Sequence, residues 1–159
     1  MNQAAQTYWD EFWNNSNKPT SVSAWMFGGL PNELAQLVID GKKTATCSGH
    51  VIYGLENEPF PTTEDYSIVL NQDEQPVAII RTVEVSFVPL NKVTEDFAVS
   101  EGEGSYEDWR SIHEKFFTDE LRNHGLEFSE DMLLVCERFK LIDVKEKKGR
   151  EKAGKYNYL

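Results

Sequence analysis

The alternation of apolar and polar side chains predicts the sheet of this protein. Over residues 77–87 every odd position but one is apolar, and a period of two is typical of a β-strand. Residues 66–70 form a second apolar run, and the polar segment 71–75 between the two predicts a hairpin loop. A further strand is predicted over residues 132–139. Glu137 lies on its apolar face and therefore needs a cationic or hydrogen-bond-donating partner.

The helical spacing of apolar residues predicts three helices. Residues 3–14 carry aromatic side chains four positions apart. A second helix begins at Pro31, a residue favoured in the first turn, and Gly41 ends it. A third begins at Ser105, which forms a capping box with the acidic residue three positions later, and Gly125 ends it. The predicted buried stripe of this third helix consists of Trp109, Ile112 and Phe116, with Leu121 as a further candidate.

The order of these elements predicts the fold class. Short strands and three helices without regular βαβ alternation favour an α+β domain, built on a small, mostly antiparallel β-barrel with flanking helices. Residues 49–65 and 89–104 are predicted to be loops because they are rich in turn-forming residues. The interior of such a small barrel is filled by side chains, so a ligand is expected in a cleft between barrel and helices.

The length and charge of the chain limit the classes of protein to consider. One domain is expected for 159 residues, which is enough to bury a core. The net charge of −11 argues against tight, nonspecific binding to a nucleic-acid backbone. Residues 145–159 nevertheless contain six basic and two acidic residues, a net charge of +4 against −15 for the remainder. This basic tail either contacts phosphates or, more commonly for such termini, is only a solubilising segment.

Several other features indicate a cytoplasmic protein without a cofactor. The sequence contains neither an apolar stretch long enough to cross a membrane nor the apolar core of a signal peptide. Cys47 and Cys136 lie far apart and are expected to be reduced thiols. The three histidines lack the HxH and HExxH spacings, so no catalytic metal is predicted.

The segment Gly41–Ser48, with the sequence GKKTATCS, is the first candidate site. It is too polar for a core strand and too rich in β-branched residues for a flexible linker. If the backbone bends after the glycine, Lys43 and Thr46 converge on one ligand. A hydroxyl is a weak nucleophile that needs a neighbouring base or a lysine. The alternative is a solvated helix end with lysines on its dipole, followed by an ordinary strand.

The segment EGEG is the second candidate site, because Glu101 and Glu103 are spaced by glycines directly before a helix. Glycines let a backbone approach a ligand closely. Arg110 and His113 lie on the first turns of that helix and are candidates to reach the same cleft. The alternatives are a flexible acidic loop and a structural histidine.

An aromatic cluster before a glycine pair, AWMFGG at residues 24–29, is a further candidate for ligand contact. Trp25 and Phe27 either stack on a base or simply plug the domain. The plug is the favoured interpretation, since aromatic residues near glycines more often belong to the core.

The motifs GKKTATCS and EGEG-x4-WR-x2-H, with a strand of the VCERF type near the end, resemble the ASCH (ASC-homology) domain in its longer bacterial form. The resemblance covers about residues 24–143. It divides the chain into an N-terminal helix and loop (1–23), the ASCH domain (24–144) and the basic tail (145–159). It implies a PUA-like barrel with a cleft for RNA or a nucleoside.

The resemblance also implies two activities for the cleft. Small relatives hydrolyse the amide of N4-acetylcytidine with a lysine, a threonine and a glutamate, and others cleave RNA. The lysine and threonine fall on Lys43 and Thr46, whereas the glutamate falls on Glu101 or Glu103, of which Glu103 is preferred. Ser48 stands where the short amidohydrolases have a basic residue, a departure that puts a shared substrate in doubt.

The sequence therefore favours a metal-independent hydrolase of a nucleoside or RNA. Thr46 is the expected nucleophile or hydrogen-bond donor, Lys43 its activator and Glu103 the general acid or base. A noncatalytic RNA-binding module is the alternative, with Lys43 on a phosphate and Trp25 or Phe27 stacked on a base. A small-molecule sensor is a third possibility. Because the body is acidic, binding of polymeric single-stranded RNA is expected to be weak and salt-sensitive.

Overall fold

The computed structural model describes residues 1–14 and 17–145. Helices and strands alternate irregularly along the chain, as expected for an α+β domain. In chain order they are α1 (Gln3–Trp13), β1 (Val22–Trp25), α2 (Pro31–Ile39), β2 (Ala45–Gly49), α3 (His50–Leu55), β3 (Tyr66–Leu70), β4 (Pro76–Pro89), a 3-10 turn (Leu90–Lys92), α4 (Glu95–Ser100), α5 (Tyr106–Asn123) and β5 (Leu133–Val144). The basic tail predicted from residue 145 lies, beyond its first residue, outside the described residues.

The five strands form one mixed sheet in the order β1-β3-β4-β5-β2. Only β1 and β3 are parallel, and all other neighbours are antiparallel. The edge strands β1 and β2 do not pair with each other in the described residues, so the sheet is open and the closed barrel expected from the sequence is not seen. The register of β4 against β5 shifts twice, between Ile79 and Ile80 and between Thr82 and Glu84.

Both faces of the central strands are covered, because β3 and β4 are apolar on each side. Helix α1 buries Tyr8 and Trp9 against Ile68 and Ile79, and Trp9 is only 1% exposed. Alternate residues of the same strands pack with α2 and the aromatic cluster of residues 24–29 in a second core, which contains Phe27, Val38, Val69, Ala78 and Ile80. A third core joins α4 and α5 to β2 and β5. The N-terminal helix therefore packs on the sheet.

The structure corrects the loops and one helix face predicted from the sequence. The segments 49–65 and 89–104 contain the short helices α3 and α4, which are six residues each and too short to show a clear apolar period. In α5 the buried residues are Trp109, His113, Phe117 and Leu121, whereas Ile112 is 44% exposed and Phe116 is half-buried. His113 can occupy the core stripe because its Nδ1 lies 2.8 Å from the carbonyl oxygen of Trp109 and its Nε2 lies 3.5 Å from the Glu101 carboxylate.

Glu137, the residue of β5 that was predicted to need a hydrogen-bonding partner, has one. The Thr82 hydroxyl of β4 donates a 3.0 Å hydrogen bond to the Glu137 carboxylate. Within the described residues, none of the helices has the length and apolar character required to span a bilayer.

Candidate active site

Lys43 is a buried lysine at the junction between α2 and β2. Its backbone N–H donates to the carbonyl of Leu37 (3.0 Å), and the N–H of Thr44 donates to the carbonyl of Ser100 (2.8 Å). Hydrogen bonds to two helices thus fix the backbone where the side chain begins. The side chain is 1% exposed. An ammonium group so far from water is stable only if anionic or carbonyl oxygens surround it.

The loop between α4 and α5 supplies these oxygens. The Lys43 ammonium lies 3.1 Å from Oε1 of Glu101 and 3.4 Å from the carbonyl oxygen of the same residue. A second carboxylate, Oε1 of Glu103, lies 3.7 Å away, and its side chain is 14% exposed. The ring centroid of Phe27 lies 5.2 Å from the ammonium and closes its remaining side. The two motifs singled out in the sequence therefore meet at one ion-pair cluster.

Glu101 holds this cluster together because both of its carboxylate oxygens accept hydrogen bonds. Oε2 accepts from the indole N–H of Trp109 (2.6 Å) and from the thiol of Cys47 (3.3 Å), and it lies 3.5 Å from Nε2 of His113. Burial opposes ionisation of Glu101. The hydrogen bond from His113 and the charge of Lys43 outweigh that effect and lower the pKa of the carboxyl to about 2.

His113 lies between two oxygen acceptors. Its Nδ1 lies 2.8 Å from the carbonyl oxygen of Trp109, which can only accept, so Nδ1 carries a proton. Its Nε2 faces the ionised Glu101, which also only accepts. Burial lowers the pKa of His113, but the hydrogen bond and charge of Glu101 raise it by more, so the net shift is upward.

Two glycines allow the loop to approach the lysine so closely. Gly102 has a φ of +79°, and a Cβ atom added there would lie 2.7 Å from the carbonyl oxygen of Lys42. Gly104 has a φ of +104°, and its added Cβ would lie 2.5 Å from a carboxylate oxygen of Asp108, the residue that completes the helix cap. Both positions therefore require glycine for backbone conformation and for space.

The cluster borders a small inner pocket with a volume of about 130 Å³. Lys43, Thr46, Glu103 and His113 all line it. Phe27 and Phe116 line both this pocket and a wider neighbouring groove, so the two are continuous. The half-buried Thr46 lies where they meet.

The groove has a volume of about 870 Å³, and its lining combines aromatic and acidic side chains. Its aromatic side chains come from β1, α3, the following loop, β3 and α5, and they include Trp25, Tyr53, Phe60, Tyr66 and Phe116. Its charged residues are all acidic: Glu58, Asp65, Glu120 and Glu137. Neither lysine nor arginine occurs in this lining within the described chain. The groove therefore favours an uncharged or cationic aromatic ligand over a phosphate.

The structure brings most of the predicted site residues together. The inner pocket is lined by Phe27, Lys43, Thr46, Glu101, Glu103 and His113, and the groove also by Trp25 and Ser48. Ser48 forms a 2.7 Å hydrogen bond with the hydroxyl of Tyr53. Arg110 lines neither the pocket nor the groove, because its guanidinium pairs with Glu114 and Glu130.

Some site residues were not identified from the sequence. Trp109 was predicted only as a core residue, although a buried indole N–H requires an acceptor and so signals a polar neighbour. Cys47 was predicted only as a reduced thiol, and no local signal in the sequence links it to Glu101. Ligand atoms of Cys47, Glu101 and His113 lie within 4.8 Å of one another, a spacing that suits a metal ion. The Lys43 ammonium, 3.1 Å from the Glu101 carboxylate, opposes the binding of a further cation at that position.

The chain belongs to the ASCH domain family, whose model matches residues 23–143. It is similar to a crystal structure of a protein from Enterococcus faecalis V583, with 39% identity and a TM-score of 0.83 over 97% of this chain and 96% of that one. It is also similar to the crystal structure of an ASCH domain from Lactobacillus crispatus JV V101, with 38% identity and a TM-score of 0.83 over 89% and 95%. None of the curated proteins matches the sequence.

Proposed function

We propose that this protein is a metal-independent hydrolase that cleaves the amide of a nucleoside-type ligand, as in N4-acetylcytidine. The observation that carries the proposal is the buried Lys43 ammonium, which lies 3.1 and 3.7 Å from two carboxylates and borders a pocket that Thr46 also lines. Amide hydrolysis develops negative charge on the carbonyl oxygen. A cation already fixed in a site with little water stabilises that charge more strongly than an exposed lysine does.

Three side chains have roles in this reaction. Thr46 attacks the carbonyl or donates a hydrogen bond to the transition state, and Lys43 stabilises the negative charge of hydroxyl and carbonyl oxygens. Glu103, which borders the pocket and is partly exposed, takes the proton of the attacking hydroxyl as the new C–O bond forms and gives it to the amine nitrogen as the C–N bond breaks. If Thr46 is the nucleophile, water then hydrolyses the acyl ester on Thr46 and releases the carboxylic acid. Glu101 positions Lys43 and takes no part in proton transfer, because both of its oxygens already accept hydrogen bonds from protein groups.

RNA cleavage is the competing reaction in the same cleft. The same groups would then activate a ribose 2′-hydroxyl and stabilise a phosphorane. The acidic lining of the groove opposes this reaction, because each phosphate would meet carboxylates and no lysine or arginine of the described groove lining. The lining therefore favours a small nucleoside over a polyanion.

A noncatalytic binding module is the candidate from another class. Trp25 is half-buried and lines the groove, so its ring can stack on a base, whereas Phe27 is only 4% exposed and packs edge to face with Trp25, with ring centroids 4.9 Å apart. The two candidates differ in one respect that is open to measurement. An enzyme loses turnover without losing binding when the Thr46 hydroxyl is removed, whereas a binding module has no turnover to lose.

Mass spectrometry of the purified protein tests the proposal. The protein is incubated separately with N4-acetylcytidine and with a mixed-sequence RNA, beside Lys43→Met and the matched control Lys42→Met. Lys42 is the exposed neighbour, so its replacement tests for nonspecific effects of a lost surface charge. Cytidine formed by the wild type and by Lys42→Met, but not by Lys43→Met, supports the amidohydrolase. RNA fragments formed by the wild type and by Lys42→Met, but not by Lys43→Met, would instead establish a nuclease. If neither substrate yields a product, the noncatalytic binding module becomes the better account.

A further inference from the structure

Glu137 is a carboxylate of the groove for which the proposed reaction has no use. It lies on β5 directly opposite Thr46 on β2. Side chains of directly paired residues in antiparallel strands project from the same face of the sheet. Glu137 therefore lies beside the predicted nucleophile, and both residues line the groove.

The hydrogen-bond capacity of Glu137 is only partly used. Oε1 accepts one hydrogen bond, from the buried hydroxyl of Thr82 at 3.0 Å. A carboxylate has about four lone-pair positions, so others are left for a ligand. No lysine or arginine of the described groove lining is present to neutralise the charge. Burial raises the pKa of Glu137 and the hydrogen bond from Thr82 lowers it by less, as expected for a carboxylate that lacks a cationic partner.

The aromatic residues near Glu137 suit a planar ligand. Tyr53, whose hydroxyl forms a 2.7 Å hydrogen bond with Ser48 of β2, lines the same groove, and so does Phe60, whose ring centroid lies 5.1 Å from that of Tyr53. A heteroaromatic ring that stacks on such side chains keeps its edge, which carries its N–H groups, free to meet an acceptor such as Glu137. An acceptor at such an edge selects ring systems that carry an N–H donor.

We propose that Glu137 is a specificity-determining residue that accepts a hydrogen bond from an N–H group of a neutral or cationic heteroaromatic ligand. The inference rests on the proposed function in one respect, that the ligand base occupies this groove. It assigns no part in bond cleavage to Glu137. A purely structural role, in which Glu137 only anchors β4 through Thr82, predicts an effect on stability and none on ligand selection.

Calorimetric binding of two cytidine probes tests this assignment. Cytidine has N–H donors on its exocyclic nitrogen, and N4,N4-dimethylcytidine has none. We expect the wild type to prefer cytidine by about tenfold or more, the effect of a hydrogen bond to a charged acceptor. Glu137→Met should reduce this preference to about twofold or less. Glu84→Gln is the control, since Glu84 is exposed on β4 and lies outside the groove lining, and it should retain the wild-type preference.

A second variant covers the case in which Glu137→Met fails to fold. Glu137→Gln retains an acceptor for Thr82 but lacks the charge, so we expect it to fold. Its preference for cytidine over N4,N4-dimethylcytidine should lie between those of the wild type and Glu137→Met. An unchanged preference in the folded variant, or equal binding of the two probes by the wild type, would overturn the assignment. A Glu137-dependent preference without hydrolysis of N4-acetylcytidine would overturn the hydrolase alone. Hydrolysis with an unchanged preference would overturn the role of Glu137 alone.

Discussion

The ammonium of Lys43 lies 3.1 Å from the carboxylate of Glu101, and both side chains are 1% exposed. These residues are 58 positions apart in the chain, so the ion pair joins the junction between α2 and β2 to the loop between α4 and α5. Removing one member of such a pair leaves its partner charged and buried. The cluster is therefore both a structural link and, in our proposal, the electrostatic centre of the site.

Replacing Glu101 should have a different effect from replacing Glu103. Glu101→Gln leaves Lys43 and His113 without their shared anion, and we expect a loss of about 3–5 kcal/mol in the free energy of unfolding. Glu103→Gln should cost about 1 kcal/mol or less, because its side chain is partly exposed and 3.7 Å from the ammonium. Urea denaturation measures both values.

Turnover should separate the same two variants in another way. Glu103→Gln should remain folded but lose most of its hydrolysis of N4-acetylcytidine, because the proton donor is gone. Equal destabilisation by the two replacements, or full turnover by Glu103→Gln, would contradict the roles assigned to these carboxylates.

The stability of the protein should be greatest in weakly acidic solution. The pKa of Glu101 is lowered from 4.5 to about 2, so its stabilising contribution, about 3 kcal/mol, is present above pH 4.5 and is lost as the pH falls towards 2. The pKa of His113 is raised from 6.5, so its contribution is present below pH 6.5 and is lost as the pH rises through the raised value.

Thermal denaturation across this range checks both limbs of the profile. We expect the melting temperature to be highest between about pH 5 and 6.5 and to fall on either side. In His113→Asn the melting temperature should fall less on the alkaline side, because the imidazole that loses its proton there is absent. A variant profile with an undiminished alkaline decline would show that another group causes it.

Gly102 should tolerate no side chain. Gly102→Ala introduces a Cβ 2.7 Å from the carbonyl of Lys42 at a φ of +79°, so we expect a loss of stability of about 2 kcal/mol or more together with displacement of the glutamates. Gly54 is the matched control, because it lies in α3 with open space around its added Cβ. Gly54→Ala should stabilise the protein by about 0.5–1 kcal/mol. Chemical denaturation compares the two, and effects of the same sign would contradict this account.

The N-terminal helix should contribute to stability and not to ligand binding. Trp9 is 1% exposed against β3 and β4, so Trp9→Ala should cost about 3–5 kcal/mol in the free energy of unfolding. Phe12→Ala should cost much less, because Phe12 is 36% exposed. No residue of α1 lines the pocket or the groove, so cytidine binding per folded molecule should be unchanged in both. A large loss of binding by folded Trp9→Ala would indicate that α1 shapes the cleft.

Local sequence signals predicted much of the secondary structure. The strand at Tyr66–Leu70 was predicted with its observed bounds, and the capping box of Ser105 and Asp108 is present, because both depend on neighbouring residues. The strand pairing was less predictable, since the parallel contact of β1 with β3 depends on packing between distant segments. The buried face of α5 was predicted correctly at Trp109 and Leu121 and incorrectly at Ile112 and Phe116. The burial of His113 in that face depends on Glu101, which belongs to another element.

The site was predictable in its parts and not in its arrangement. GKKTATCS and EGEG each stand out as short polar motifs next to a helix end, so Lys43, Thr46 and the two glutamates were found from sequence. Their convergence depends on the positive φ of Gly102 and on the fold, and neither follows from composition. The Trp109 donor and the Thr46–Glu137 pairing likewise needed the three-dimensional register.

The most direct test of the central claim measures turnover and binding together in variants of Thr46. Wild type, Thr46→Ser and Thr46→Ala are compared for hydrolysis of N4-acetylcytidine by mass spectrometry and for binding of cytidine by calorimetry. We predict that Thr46→Ala binds within about threefold of the wild type but loses turnover by about a hundredfold or more, and that Thr46→Ser retains part of the activity. Unchanged turnover in Thr46→Ala would contradict the assignment of Thr46. Binding of cytidine by all three proteins without any hydrolysis would contradict the enzyme and identify the cleft as a binding site.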